Sequence, residues 1–296
     1  MTLFSTTAID LIGRTHRILM KDWKAGTCTG GGASTFADTA RTEPDDYFQN
    51  TVPVSKVTIW STTDGAAPQG QTRTISDWVN STGTGTVSAA WTTANPASGD
   101  KYAITTEYAL AEILQALNDA IEAVKGSGLI EKIDTSVPTI DSVYEYDIPT
   151  GFTHIHTVTM STSDGVYNEP IPPNMYIVLR GLAVPRLKFL LYPSGNLAPD
   201  VEHSGLWADT KLAGGYTLRI EGFGYQATLV NYTDLCALDP MYVSYQAAAL
   251  LHARRITRID TEPQGHQAQY QICQAVANDY KPKGFKGFPP DVKRVL

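Results

Sequence analysis

Between Thr6 and Lys21 the apolar residues Ala8, Leu11, Ile12 and Leu19 recur on one side of a 3.6-residue period. Thr7 stands where a hydroxyl can cap the first turn, so the pattern predicts an amphipathic helix. The Gly-rich run GTCTGGGAS follows and reads as a flexible domain junction. Beyond it the period shortens to the alternation of strands in VSKVTIWST, QTRTISDW, GTVSAAW and KYAITT, with turn signals at Asp64-Gly65, Ser81-Thr82-Gly83 and Ser98-Gly99-Asp100. The helical period returns in EYALAEILQALNDAIEAVK, where Leu110, Ile113, Leu114, Leu117, Ile121 and Val124 recur at steps of three and four, closed by Gly126 and Gly128.

A second β-rich stretch carries VYEYDIP, THIHTVTM, MYIVLR, RLKFLLYP and YTLRIEGF, with a hairpin turn expected at Asp164-Gly165. In its last segment Tyr216, Leu218 and Ile220 alternate with Thr217, Arg219 and Glu221, which gives one dry face and one wet face. Asp239-Pro240 starts a third helix with Val243, Ala247, Leu250, Leu251 and Arg254 along one face. Pro263 starts a fourth, whose apolar side is expected to be Ala268, Ile272, Ala275 and Val276. Helices this short are marginal alone, so they are expected to close on one another as a discontinuous bundle. The reading is an α+β chain: a first bundle helix in residues 1–25, a small barrel-like or sandwich β module in 26–106, and a second helix in 107–128. A sandwich-like β region in 137–231, the C-terminal helices in 234–280 and an extended arm in 281–296 complete it.

Composition narrows the function. The formal charge is −7 and only 18% of residues are charged, which argues against a protein that coats duplex nucleic acid, because such binding needs Lys and Arg to neutralise phosphates. Nowhere do about 18 apolar residues run together, and the start lacks a basic, then apolar leader, so neither a membrane span nor a signal peptide is expected. Cys28, Cys236 and Cys273 stand apart with no metal-binding spacing and read as buried thiols. The end breaks the acidic trend: KPKGFKGFPPDVKRVL carries Lys281, Lys283, Lys286, Lys293 and Arg294 against Asp291 alone. Its Pro and Gly residues exclude a regular helix, while Phe285, Phe288, Val292, Val295 and Leu296 make it too apolar for a solvated terminus. An arm that folds onto a neighbour accounts for both.

No reactive constellation emerges, and no cofactor is expected. His154 and His156 would project from one face of a strand but lack a third ligand, so no metal site is assigned. Glu43, Asp45 and Asp46 lack the spacing of a calcium loop and read as a solvated turn. Gly30, Gly31 and Gly32 are not followed by the Lys of a phosphate-binding loop. Cys273 with His252 or His266 could be drawn as nucleophile and base, but a Cys beside Ile272 on a helix reads as core. Trp60, Trp78 and Trp91 read as core or interface anchors, with a carbohydrate platform as the sharper alternative. Arg254, Arg255 and Arg258 form a basic patch that reads first as a solvated face and second as a contact for an acidic partner or passing DNA. A non-enzymatic role is the expectation.

The order of a first helix, a long helix like LAEILQALNDAIEAV, a β region opening like YEYDIPTGFTHIHTVTM, an Ala-rich helix like DPMYVSYQAAALLHARRI and a basic C-terminal arm resembles the head-to-tail adaptor proteins of tailed phages. The stretch with DTARTEPDDYF, GQTRTISDW, STGTGTVSAAWTT and ASGDKYAI is similar to a small module of phage neck and tail proteins. The resemblance implies a virion protein at the neck that assembles as a ring of about twelve copies beneath the portal protein. It further implies contacts with a downstream neck or tail protein and a wall past which double-stranded DNA travels. The arm, with Lys281, Lys283, Phe285, Lys286, Phe288, Val292, Lys293, Arg294 and Leu296, would then dock on the portal. The alternatives are another tail component, such as a terminator, tube or fibre-attachment protein, or a carbohydrate-binding surface protein.

Overall fold

A computed structural model describes residues 4–140, 143–161, 165–167, 170–190, 215–256, 263–282 and 292–295. The chain opens with β1 (Thr6–Thr7), α1 (Ala8–Ile18), β2 (Trp23–Thr27), β3 (Gly30–Gly32), β4 (Thr35–Ala37), β5 (Lys56–Ser61), β6 (Thr72–Val79), β7 (Thr84–Val87) and β8 (Lys101–Thr105). Next come α2 (Leu110–Glu122), β9 (Leu129–Pro138), β10 (Glu145–Asp147), β11 (Phe152–Met160), β12 (Tyr176–Leu179), β13 (Arg186–Phe189) and β14 (Thr217–Tyr225). The chain ends with β15 (Leu235–Cys236), α3 (Pro240–Ile256), α4 (Pro263–Tyr280) and β16 (Lys293–Arg294). The fold is α+β, and all of its strand pairing is antiparallel. It divides into two compact units: one gathers the described residues of Phe4–Val124 and Thr228–Pro282, the other those of Lys125–Ala227 and Lys283–Leu296.

In the first unit the four helices pack together around α3, which meets α1, α2 and α4. α1 begins where expected: Thr7 accepts the amide of Asp10 at 3.3 Å, and Ala8, Leu11, Ile12 and Leu19 are all buried. α3 begins on Asp239, whose carboxylate accepts the amide of Met241 at 2.8 Å. Tyr242, Val243, Ser244, Ala247, Ala248, Ala249, Leu251 and His252 bury it on several sides, which is why a single apolar stripe describes it poorly. Its small alanines let three neighbours approach closely. α4 departs from the expected face: Cys273 and Ala277 are buried, whereas Ala268, Ile272 and Ala275 are exposed and Val276 is only partly covered.

The β module of this unit is one seven-stranded sheet in the order β2-β8-β5-β6-β7-β4-β3, open rather than a closed barrel. It is nevertheless strongly curled. A flat sheet of seven strands would hold its edges about 29 Å apart, yet the two edge strands β2 and β3 are joined by Cys28 and Thr29 alone, a reach of about 11 Å. β6 makes the bend by pairing with β5 through Thr72–Thr74 and with β7 from Ile75 onward. Phe36, Phe48, Ile59, Ile75, Trp78 and Tyr102 fill the interior. The expected flexible junction at Gly30–Gly32 is instead strand β3, and a Cβ on Gly31 would stand 2.7 Å from the carbonyl of Thr35. Glycine is required there by close approach.

The second unit is a sandwich. A four-stranded sheet β16-β11-β14-β9 and a three-stranded sheet β10-β13-β12 share one core of Tyr146, Phe152, Ile155, Val158, Tyr176, Leu187, Phe189, Leu218, Ile220 and Val295. The alternation expected in β14 is present, with Leu218 and Ile220 fully buried. Asp164 of the expected hairpin turn lies outside the described residues.

Candidate functional site

In the C-terminal segment, residues 283–291 and 296, among them Lys283, Phe285, Lys286, Phe288 and Leu296, lie outside the described residues. Lys281 follows α4 and is exposed. Lys293 and Arg294 form β16, paired with Ile155 and His154 of β11. The Val295 amide donates to Thr153 O at 2.6 Å, its side chain is buried in the sandwich core, and Arg180 Nε donates to the Arg294 carbonyl at 2.7 Å. Val292 is half-buried. Lys293 to Val295 are therefore seated on the β11 edge of their own sheet, with Val295 in a core position.

The β11 histidines do not converge. A register shift between Ile155 and Thr157 interrupts the alternation. His154 turns its Nδ1 to Thr153 Oγ1 at 3.0 Å, and His156 turns its own to Thr157 Oγ1 at 2.8 Å with its ring against Phe223. Burial lowers the His154 pKa, and the nearby Arg294 and Arg180 lower it further. Among the described residues there is no cluster of three metal-capable side chains.

Two residues of the expected basic patch are paired within the bundle. Arg254 pairs with Asp119 at 2.7 Å, and Arg255 lies 3.6 Å from Glu107 and over the Tyr108 ring; Arg258 lies outside the described residues. His252 and His266 bring their Nδ1 atoms to 3.0 Å between α3 and α4. Burial lowers the His252 pKa, assisted by His266 and Lys21 and opposed by Glu107. Burial also raises the Cys273 thiol, the wrong direction for a nucleophile. Trp78 and Trp91 are core residues whose indole N–H groups donate to the carbonyls of Glu43 and Thr35, both at 3.1 Å. Trp60 is half-buried, with the Lys101 ammonium over its ring.

Glu43 corrects the solvated-turn reading. It belongs to a charge network under a cleft of about 690 Å³ lined by Gly26, Cys28, Asp38, Arg41, Glu43 and Gly99. Lys24 and Arg41 both donate to Glu43 Oε1, at 2.8 and 2.9 Å. Arg41 Nε donates to the Tyr102 hydroxyl, which donates to Asp38 Oδ2 at 2.6 Å. Burial opposes ionisation of Glu43, but Lys24 and Arg41 hold its pKa below the usual value. Burial drives the Tyr102 pKa up, with Asp38 adding to it. Burial, Asp100 and Asp38 push the Cys28 thiol up to about 12. The charges compensate one another and the thiol stays protonated, so the network braces the curled sheet. The spacing of Lys24, Asp38, Arg41, Glu43 and Tyr102 gave no signal of it, because the sheet brings them together from separate strands and loops.

No family model and no curated protein matches the chain. Among solved structures, a chain of one titled "Neck of empty GTA particle computed with C6 symmetry" is similar over 62% of this chain and 87% of its own, at 16% identity and a TM-score of 0.23. At that TM-score the likeness assigns neither fold nor partner. Among the described residues no helix is long and apolar enough to cross a membrane.

Proposed function

We propose that this chain is a non-enzymatic structural protein of a tailed-phage-type particle, a ring-forming head-to-tail adaptor that joins the portal to the next neck or tail component. The supporting observation is the convergence on α3 of α1, α2 and α4, with β regions separating α1, α2 and α3 in the chain. That is the arrangement the adaptor resemblance implies. A heterologous contact repeated around an axis would close the ring, and an acidic chain suits a wall past which DNA slides. In this reading residues 281–296 dock on the portal, and the part now seated on β11 is released when they do.

The test is size-exclusion chromatography with light scattering, with and without portal protein. An adaptor is monomeric or weakly associated alone and forms rings with the portal. Stable trimers that ignore the portal would point to a fibre component, and glycan binding lost on Trp60→Ala would point to a carbohydrate-binding protein.

A further inference from the structure

The bundle carries a groove of about 450 Å³ between α1, α3 and α4, lined by Arg14, Arg17, Met20, Met241, Tyr245 and Ile272. Two features mark it as unfinished in the single chain. Met20 is 83% exposed and Ile272 55% exposed, so two large apolar side chains flank it in water. The Met20 φ of 55° belongs to the cap that closes α1, where the Met20 and Lys21 amides donate to the carbonyls of Arg17 and His16 at 3.1 and 3.0 Å. Arg14 and Arg17 are the second feature: Arg14 donates to Met241 Sδ at 2.9 Å and Arg17 to the Gly13 carbonyl at 3.3 Å. Among the described residues neither guanidinium meets a carboxylate, in a chain whose formal charge is −7.

A complementary surface lies on the β module of the same chain. The loop over residues 44–54 is held by Phe48, which is buried edge-on against Trp78. It presents Val52, 97% exposed, and Val54, 40% exposed. Asp45 accepts the Asn80 amide at 2.7 Å and Asp46 accepts from Gln49, but among the described residues neither carboxylate meets a cation. Asp46 too has a left-handed φ, 64°. One surface thus offers two guanidiniums beside Met and Ile, and the other two carboxylates beside two valines.

We propose that the groove of α1, α3 and α4 receives the 44–54 loop of a second copy of this chain, Asp45 and Asp46 facing Arg14 and Arg17 while Val52 covers Met20 and Ile272. The two surfaces are different, so the contact is head-to-tail and repeats from copy to copy. It rests on the ring reading above and gives that ring its contact. The charges decide the occupant: the basic segment at the C-terminus would be repelled by the two arginines, and duplex DNA offers nothing to cover Met20 and Ile272. Opposite charges flanking an apolar centre set register and orientation.

The test is cysteine cross-linking of the full chain at high concentration. Met20→Cys together with Val52→Cys, both at exposed positions, is expected on oxidation to give a ladder of dimers, trimers and higher species. Either substitution alone gives none beyond dimers. In that background, Arg14→Glu with Arg17→Glu, or Asp45→Lys with Asp46→Lys, is expected to weaken the ladder at least about tenfold, and all four reversals together to restore it. A ladder no stronger than the single-cysteine controls, or one indifferent to the reversals, overturns the contact. The adaptor reading is judged separately: a chain without the ladder that still forms rings with portal keeps that reading and loses this contact.

Discussion

His16 is fully buried on α1, stacked on Trp23 with ring centroids 5.3 Å apart, and neither ring nitrogen has a hydrogen-bond partner. Burial lowers its pKa from 6.5 to about 4. The unfolded chain therefore takes up a proton between those values that the folded chain refuses. Stability is complete above about pH 6.5 and falls as the pH drops toward 4, by about 1.4 kcal/mol per unit and about 3 kcal/mol in all. His16→Phe keeps the stacking partner and removes both unsatisfied nitrogens, so it should be neutral or stabilising at pH 7.5 and should flatten the acid slope in urea titrations. An unchanged slope would show that His16 is hydrated in the folded protein. Tyr102 is the opposite case, because its hydroxyl links Arg41 to Asp38. Tyr102→Phe leaves a buried carboxylate short of a donor and should cost about 1–3 kcal/mol in the same titration.

Among the elements, those with one partner surface were legible and those set by tertiary contact were not. α1, α2 and β14 bury the residues their periods select except Leu114 and Tyr216, which are half-buried. α4 does not, because its contact with α3 falls on Cys273 and Ala277 while the more hydrophobic Ile272 faces out. β2, β3 and β4 were missed, being short and rich in glycine or polar residues, and paired by the curl of the sheet rather than by their own pattern. β9 was missed because LIEKIDTSVP mixes charge and apolar residues on both faces. That mixture has a physical use. β9 is an edge of its sheet, Lys132 stands opposite the buried Gly222, and its stem lies over Gly224. An inward-pointing lysine and the register shift between Leu218 and Ile220 both discourage pairing with another chain. Lys132→Val should remove the first guard and produce concentration-dependent association by light scattering at unchanged secondary structure; a variant that stays monomeric would assign the protection to the register shift alone.

The whole molecule carries a formal charge of −7, and several of its cations are held in ion pairs among the described residues. The sequence reads Arg254, Arg255 and Arg258 first as a solvated face and second as a contact for an acidic partner or DNA, but a spacing cannot reveal that α2 and the residues before it bring Asp119 and Glu107 against Arg254 and Arg255. Lys24 and Arg41 are likewise paired, both with Glu43 and Arg41 also with Asp38. A duplex near this surface would meet a repulsive field, since nonspecific affinity depends on how many phosphates are neutralised by released counterions. The purified chain should therefore show no measurable retention of duplex DNA at about 0.15 M salt, and lowering the salt should bring at most weak binding with a shallow slope of log affinity on log salt. Asp119→Asn would remove one carboxylate partner of Arg254 and should leave the bundle folded, because an exposed pair of this kind contributes under about 1 kcal/mol. Tight binding by the unaltered chain, with a slope reporting several neutralised phosphates, would mean that DNA is held and not passed, and a sliding wall could not be this protein's part in a neck.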